Sequence, residues 1–266
     1  MAAEPVPHTP VTYTSVYKIY VRGILFARAD VELVVTDQQY QLSALLRSSG
    51  LGVLFSDASA LVKTSGKLNG EALEPVSLRY SWTSEDSINF TQLDYVSGAP
   101  FEYKTNYKPK KVQKVVLPIS IEDVGPGTRD PFLSLLVVQR PEKGDAFCRT
   151  PVRLYDGRRL ARLNPEDMEG VPFDAAPGRI ACRVRWQPVA GYPEKTYERA
   201  ADMHPVNLEF AAIANSGFMA PREVSVITRY GRVSIVAVEP FRESNMPVVP
   251  AKLELPSRDD DTDDED

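Results

Sequence analysis

The stretch Tyr13-Thr14-Ser15-Val16-Tyr17-Lys18-Ile19-Tyr20-Val21 decides the fold of this chain. Tyr13, Tyr17, Ile19 and Val21 fall on one face when every second residue is taken, and a half-buried face of period two is the mark of a strand. The same pattern returns in Asp30–Val35, with Val31, Leu33 and Val35 on one face, and in Gln39–Leu46, with Tyr40, Leu42, Ala44 and Leu46. Leu51, Val53 and Phe55 repeat it once more. Gly23, Asp37, Ser48-Ser49-Gly50, Ser65-Gly66 and Asn69-Gly70 lie between the runs, where turn chemistry is expected. Strands at about ten-residue spacing joined by short turns predict an antiparallel meander.

Further strands are predicted over 76–82, 87–93, 101–107, 112–119, 148–156, 158–163, 179–187, 206–213, 222–228 and 232–239. One segment reads differently. Asp130-Pro131 offers a cap and a first-turn proline ahead of the apolar run Phe132–Val138, which predicts a short buried helix near 130–138, with a strand as the alternative at its β-branched end.

Proline separates two regimes. None occurs from Val11 to Glu74, whereas nineteen of the 22 fall between Pro75 and Pro256, which excludes long helices there. The formal charge of -5 also divides unevenly, because Asp259–Asp266 holds seven carboxylates and no base. Without that run, 31 bases face 36 less 7, or 29, acids, so the body is close to neutral. No basic domain is present to neutralise a phosphate backbone, which argues against nucleic acid as a partner. A composition with 43% hydrophobic residues suits a packed globular body. We expect a flexible arm over 1–10, one all-β domain over 11–239 and a disordered, proline-containing acidic tail over 240–266.

No apolar window is long enough for a transmembrane helix. No secretory leader is visible either, since Lys18, Arg22, Arg28 and Asp30 break the only early apolar run. The opening Met1-Ala2-Ala3-Glu4-Pro5 is what remains when a start is placed after a small-residue cleavage site, so we expect a mature exported chain. An ordinary Ala-rich cytoplasmic start is the rival reading.

Cys148 and Cys182 are the only cysteines. Bridged, they would close a loop worth roughly 3.5–4 kcal/mol in the chain-entropy model. Two buried free thiols fit the residues equally well. Their spacing matches neither a zinc site nor a CxxC redox pair.

From Cys148-Arg149-Thr150-Pro151-Val152-Arg153-Leu154-Tyr155-Asp156-Gly157-Arg158-Arg159 and Ala181-Cys182-Arg183-Val184-Arg185-Trp186-Gln187-Pro188-Val189-Ala190-Gly191-Tyr192, the chain resembles a bacterial domain-of-unknown-function family, DUF3108. The Tyr17–Gly23 segment, Ser65-Gly66-Lys67-Leu68, Asp130–Ser134 and Tyr230-Gly231-Arg232 agree in order and spacing, so the resemblance spans about Val11 to Glu239. It implies a periplasmic protein of Gram-negative bacteria with the two cysteines paired. It also implies the shape of the β-spiral envelope-integrity proteins, one long antiparallel sheet curled over itself as a spiral or open barrel.

Candidates for chemistry are few. His8 and His204 stand alone, no Gly-x-Ser-x-Gly elbow or phosphate loop is present, and Glu166-Asp167-Met168-Glu169 lacks calcium-loop spacing. No catalytic residue, metal site or cofactor is therefore expected. Asp156-Gly157 is the strongest hairpin signal, and Arg158 and Arg159 beyond it should point to opposite faces, leaving one free for a ligand. Lys108, Lys110, Lys111 and Lys114 form the densest basic patch, suited to anionic lipid or wall acids if it is more than a solvated loop. Tyr17 and Tyr40 belong to an aromatic cluster that cross-strand packing explains, but a curled sheet lined with such rings could also hold an acyl chain or an extended peptide. The function expected is a non-catalytic exported protein that supports the cell envelope by binding a protein, wall component or lipid. The alternative is a carrier with an acyl chain in its concave face.

Overall fold

The computed structural model describes residues 10–54, 58–69, 72–84, 87–107, 114–138, 148, 150–166 and 179–249. The first half is a continuous meander of β1 (Val11–Val21), β2 (Ile24–Val35), β3 (Gln39–Ser48), β4 (Ser59–Asn69), β5 (Ala72–Ser84), β6 (Ser87–Val96) and β7 (Ala99–Thr105). The short strands β8 (Thr128–Arg129) and β9 (Val137–Val138) follow. The second half contains β10 (Val152–Tyr155), β11 (Leu160–Glu166), β12 (Arg179–Ala190), helix α1 (Glu194–Ala201), β13 (Val206–Ile213), β14 (Phe218–Thr228) and β15 (Gly231–Glu243). All the strands join one sheet, in the order β7-β6-β5-β4-β3-β2-β1-β15-β14-β13-β12-β11-β10-β8, with β9 added to β14. The first and last strands meet in the middle of this sheet, and its free edges come from mid-chain.

Local chemistry explains the hairpins. Val21 pairs with Ile24, and the two residues between them, Arg22 and Gly23, both take positive φ, 52° and 78°. That is the turn whose twist suits a two-residue hairpin. Ser97 and Gly98 do the same between β6 and β7. One expected turn and one expected strand differ from the observed structure. Ser65-Gly66 lies inside β4 as a register irregularity, because a side chain at Gly66 would collide with the Tyr40 hydroxyl and the Glu74 carbonyl. The strand expected at Leu51, Val53 and Phe55 is instead a 3-10 turn over Gly50–Leu54, started by Gly50 at φ +58°, with Phe55 outside the described residues.

The expected helix near 130–138 is a single 3-10 turn, Leu133–Leu135, followed by β9. Its cap is as read: the Asp130 carboxylate accepts the N–H groups of Phe132 and Leu133 at 2.9 and 2.8 Å. Its other oxygen accepts the Thr64 hydroxyl at 2.7 Å, so the turn is pinned to β4. The α-helix is elsewhere, at Glu194–Ala201, with only Ala200 buried. Of the strand expected at 112–119, residues 112 and 113 are outside the described set. The rest has one bridge, Val115 to Pro193, because Pro118 interrupts the ladder.

At the C-terminal end β15 continues past Glu239 to Glu243. Pro240 falls in the irregular register between Val16 and Thr14, where no ladder bond needs its missing N–H. Val249 is buried, and the Val248 N–H donates to Glu32 Oε2 at 2.9 Å, so the ordered body extends ten residues past the expected boundary. Residues 1–9 of the expected arm over 1–10 and residues 250–266 of the expected tail over 240–266 lie outside the described residues.

A simple barrel buries one face of its sheet. Here register places Leu208 and Phe210 of β13 opposite Cys182 and Ile180, in one core with Val184 and Met219. Ile213 points from the other face of β13 and joins Phe218 and Ala220 against Tyr13, Leu33 and Tyr40 of the first half. A third core joins Val62, Leu78, Leu93 and Tyr95 to Tyr155 and Leu160. Burial on both faces means that the second half is rolled inside the first, the curled antiparallel sheet that the alternation and the resemblance imply. Each fully buried side chain of this kind stabilises the roll by about 1.5–3 kcal/mol.

The free edge β7 meets the β10–β11 hairpin without a ladder. Tyr103 packs where Gly157 has no side chain, and an added Cβ there would lie 2.1 Å from the ring. Gly157 also has φ +96°. Gly157→Ala is expected to cost about 1–3 kcal/mol by overpacking this seam, read by urea denaturation. Tyr103→Ala in that background should recover part of the loss, and an unchanged midpoint in the single variant would show that the seam is not tight.

Candidate functional site

The site begins with a bulge. β13 and β14 pair regularly from Ile213–Phe218 to Phe210–Pro221, then slip so that Glu209 faces Glu223 and Arg222 is the extra residue. A bulge bends its strand. The consequence is visible in one hydrogen bond: the Tyr17 hydroxyl of β1 donates to the Pro221 carbonyl of β14 at 2.6 Å, although β15 separates those strands in the sheet. The start of β14 therefore lies over the apolar face of β1.

Between these layers is a cavity of about 340 Å³. One wall is Tyr17, Ala237 and Phe241, and the other is Ala211, Ile213 and Ala220, with Arg179 and Arg222 at the polar end. Tyr17 and Phe241 meet edge to face at 6.4 Å between centroids. Alanine at three wall positions is what leaves the space. Burial pushes the Tyr17 phenol far above its ordinary value, so it stays a neutral donor. Both arginines lean on one acid: Glu209 Oε1 lies 2.8 Å from Arg222 and 3.4 Å from Arg179. Two guanidiniums share one carboxylate, and all three are partly solvated, so these pairs are weak and a ligand anion can compete for them. The arrangement suits an amphiphile with an apolar body and one negative group.

The other expected site residues are distributed as follows. Tyr40 is buried and lines a separate cavity of about 360 Å³ with Gln39, Ser65 and Lys67. Its ring meets Phe218 edge to face. The loop of the β10–β11 hairpin spans residues 156–159, with the positive φ at Gly157 and the Asp156 carboxylate accepting the N–H groups of Arg158 and Arg159. Among the described residues neither arginine finds a carboxylate: Arg158 lies over the Tyr107 ring at 4.5 Å and Arg159 over Tyr192 at 5.5 Å. These contacts stack the hairpin onto its neighbours. Burial pushes the Tyr192 phenol up to about 12. Lys114 is exposed, while Lys108, Lys110 and Lys111 lie outside the described residues.

Cys148 and Cys182 are joined, with Cα atoms 5.6 Å apart, and both are buried in the inner core. Arg179, Glu209, Arg222 and Phe241 escaped the sequence reading, because only register and the bulge bring them together. Among the described residues no group of three His, Cys, Asp or Glu side chains could hold a metal ion, and no helix is long and apolar enough to cross a membrane.

No family model matches the chain, and no curated protein matches it. Among solved structures it is similar to the crystal structure of a β-barrel-like protein of domain of unknown function DUF1849 from Brucella abortus, at 12% identity. The match covers 89% of this chain and 99% of that one, with a TM-score of 0.44.

Proposed function

We propose that this chain is a non-catalytic exported protein of the bacterial periplasm that supports the cell envelope by holding a partner: a protein, a wall component or a lipid. The observation that carries it is the Cys148–Cys182 disulfide inside the inner core. Structural disulfides persist in oxidising compartments and are rare in the cytosol. The resemblance to DUF3108 supports the same compartment. The test is a deletion strain exposed to bile-salt detergent. Sensitivity relieved by the exported protein, but not by a copy retained in the cytoplasm, is expected. Wild-type resistance would contradict the envelope role.

A second reading, a carrier for an acyl chain, is favoured by the cavity between Tyr17 and the start of β14. Solvent extraction of the protein purified from its own envelope without detergent should then yield close to one acyl amphiphile per chain. Ala211→Trp, which fills the cavity, should abolish that yield. Equal yields from both proteins would remove the carrier reading and leave partner binding.

A further inference from the structure

A third cavity, of about 250 Å³, lies where β8 approaches the start of β5 and the turn between β6 and β7. Its lining includes Glu74, Gly98, Gly127 and Arg129. Gly98 and Gly127, both at positive φ, contribute no side chain to the space. The Glu74 stem runs along the Gly98 wall, where an added Cβ would lie 3.7 Å from its Cγ.

The charges here are unusual. Arg129 is half-buried, and burial lowers its affinity for its proton, which makes its charge costly. Among the described residues no carboxylate comes within 4.0 Å of its guanidinium. The neighbouring Asp130 carboxylate offsets part of that cost through space, but its oxygens are turned to the Thr64 hydroxyl and two backbone N–H groups and do not touch the guanidinium. Glu74 likewise has no side-chain partner among the described residues, although its carbonyl accepts the Tyr40 hydroxyl at 3.5 Å. A cation and an anion thus line one cavity without touching.

A simple anion would gain from Arg129 and lose against Glu74, and a simple cation would do the reverse. A molecule carrying both charges gains at each end. We propose that this cavity binds a small zwitterion of the α-amino-acid class, its carboxylate on Arg129 and its ammonium on Glu74. The volume equals about eight waters, which accommodates such a molecule. The site is separate from the cavity at Tyr17, and its test does not depend on the envelope reading.

Isothermal titration of the full chain with alanine, acetate and methylammonium tests this. Alanine is expected to bind with a Kd on the order of 1 mM or tighter, and the two half-molecules at least tenfold more weakly. Arg129→Gln and the nearly isosteric Glu74→Gln should each weaken alanine by tenfold or more, with melting temperatures of the free proteins checked alongside. If Arg129→Gln fails to fold, Glu74→Gln alone decides, since it retains the shape of the cavity. Acetate binding as tightly as alanine, and more tightly to Glu74→Gln, would overturn the zwitterion assignment in favour of an anion site. Absence of heat with all three probes would overturn the site itself.

Discussion

Replacing Asp130 with alanine is expected to destabilise the protein by about 3–5 kcal/mol, while Asp130→Asn stays within about 1 kcal/mol of the parent at pH 7. Alanine leaves three donors without an acceptor in the interior: the N–H groups of Phe132 and Leu133 and the Thr64 hydroxyl. Each orphaned buried group costs about 1–3 kcal/mol. Asparagine retains the oxygen that serves the two N–H groups, and its amide can donate to the Thr64 oxygen in place of the original bond. The charge itself is a burden, because burial raises the Asp130 pKa above its ordinary 3.8. A folded state that holds its proton more tightly than the unfolded chain loses stability as pH rises from 3.8 to the raised value, and loses no more beyond it. Asp130→Asn should therefore gain on the parent as pH rises through that window. Urea midpoints at several pH values would read this, and a constant gap between the two proteins would show that Asp130 keeps its ordinary pKa.

Cys148→Ser, or reduction of the bridge, is expected to cost roughly 3.8 kcal/mol, the chain-entropy value for a separation of 34 residues. The loss should appear chiefly as a lower melting temperature with the same far-ultraviolet circular dichroism, because the ladders of β12 and β13 do not pass through the bridge. Both cysteines are nearly inaccessible, at 5% and 3% exposure, so reductant should act only at denaturant concentrations that open the inner core. An unchanged melting curve for Cys148→Ser would show that the bridge adds nothing to the packing around Ile180 and Phe210.

The meander was legible because alternation and turn residues agree in β1 to β3, where Tyr13, Leu33 and Tyr40 share a face and Gly23 marks a hairpin. The resemblance carried the pairing of the cysteines and the curl. Alternation failed where it had no ladder behind it. Leu51 and Val53 have the spacing of a strand but sit in a 3-10 turn with both side chains exposed, because Gly52 presses against the Phe26 carbonyl. Helix α1 was missed for the opposite reason: its apolar side is only Tyr197, Ala200 and Ala201 in eight mostly polar residues, too short for a helical period to stand out. For the candidate site, Tyr17 stood out as an aromatic on the buried face, whereas Arg179, Glu209 and Arg222 depend on a one-residue slip that no local pattern announces. The same holds for Arg158 and Arg159, whose partners Tyr107 and Tyr192 come from distant segments of the chain.

The most direct test of the proposed export and disulfide closure is mass spectrometry on cells whose thiols are blocked before lysis, with envelope and cytosolic fractions digested separately without reductant. The Cys148–Cys182 linked peptide pair is expected in the envelope fraction, with almost none of the chain in the cytosol. Recovery of both cysteines as blocked thiols in the cytosolic fraction would contradict both the export and the bridge.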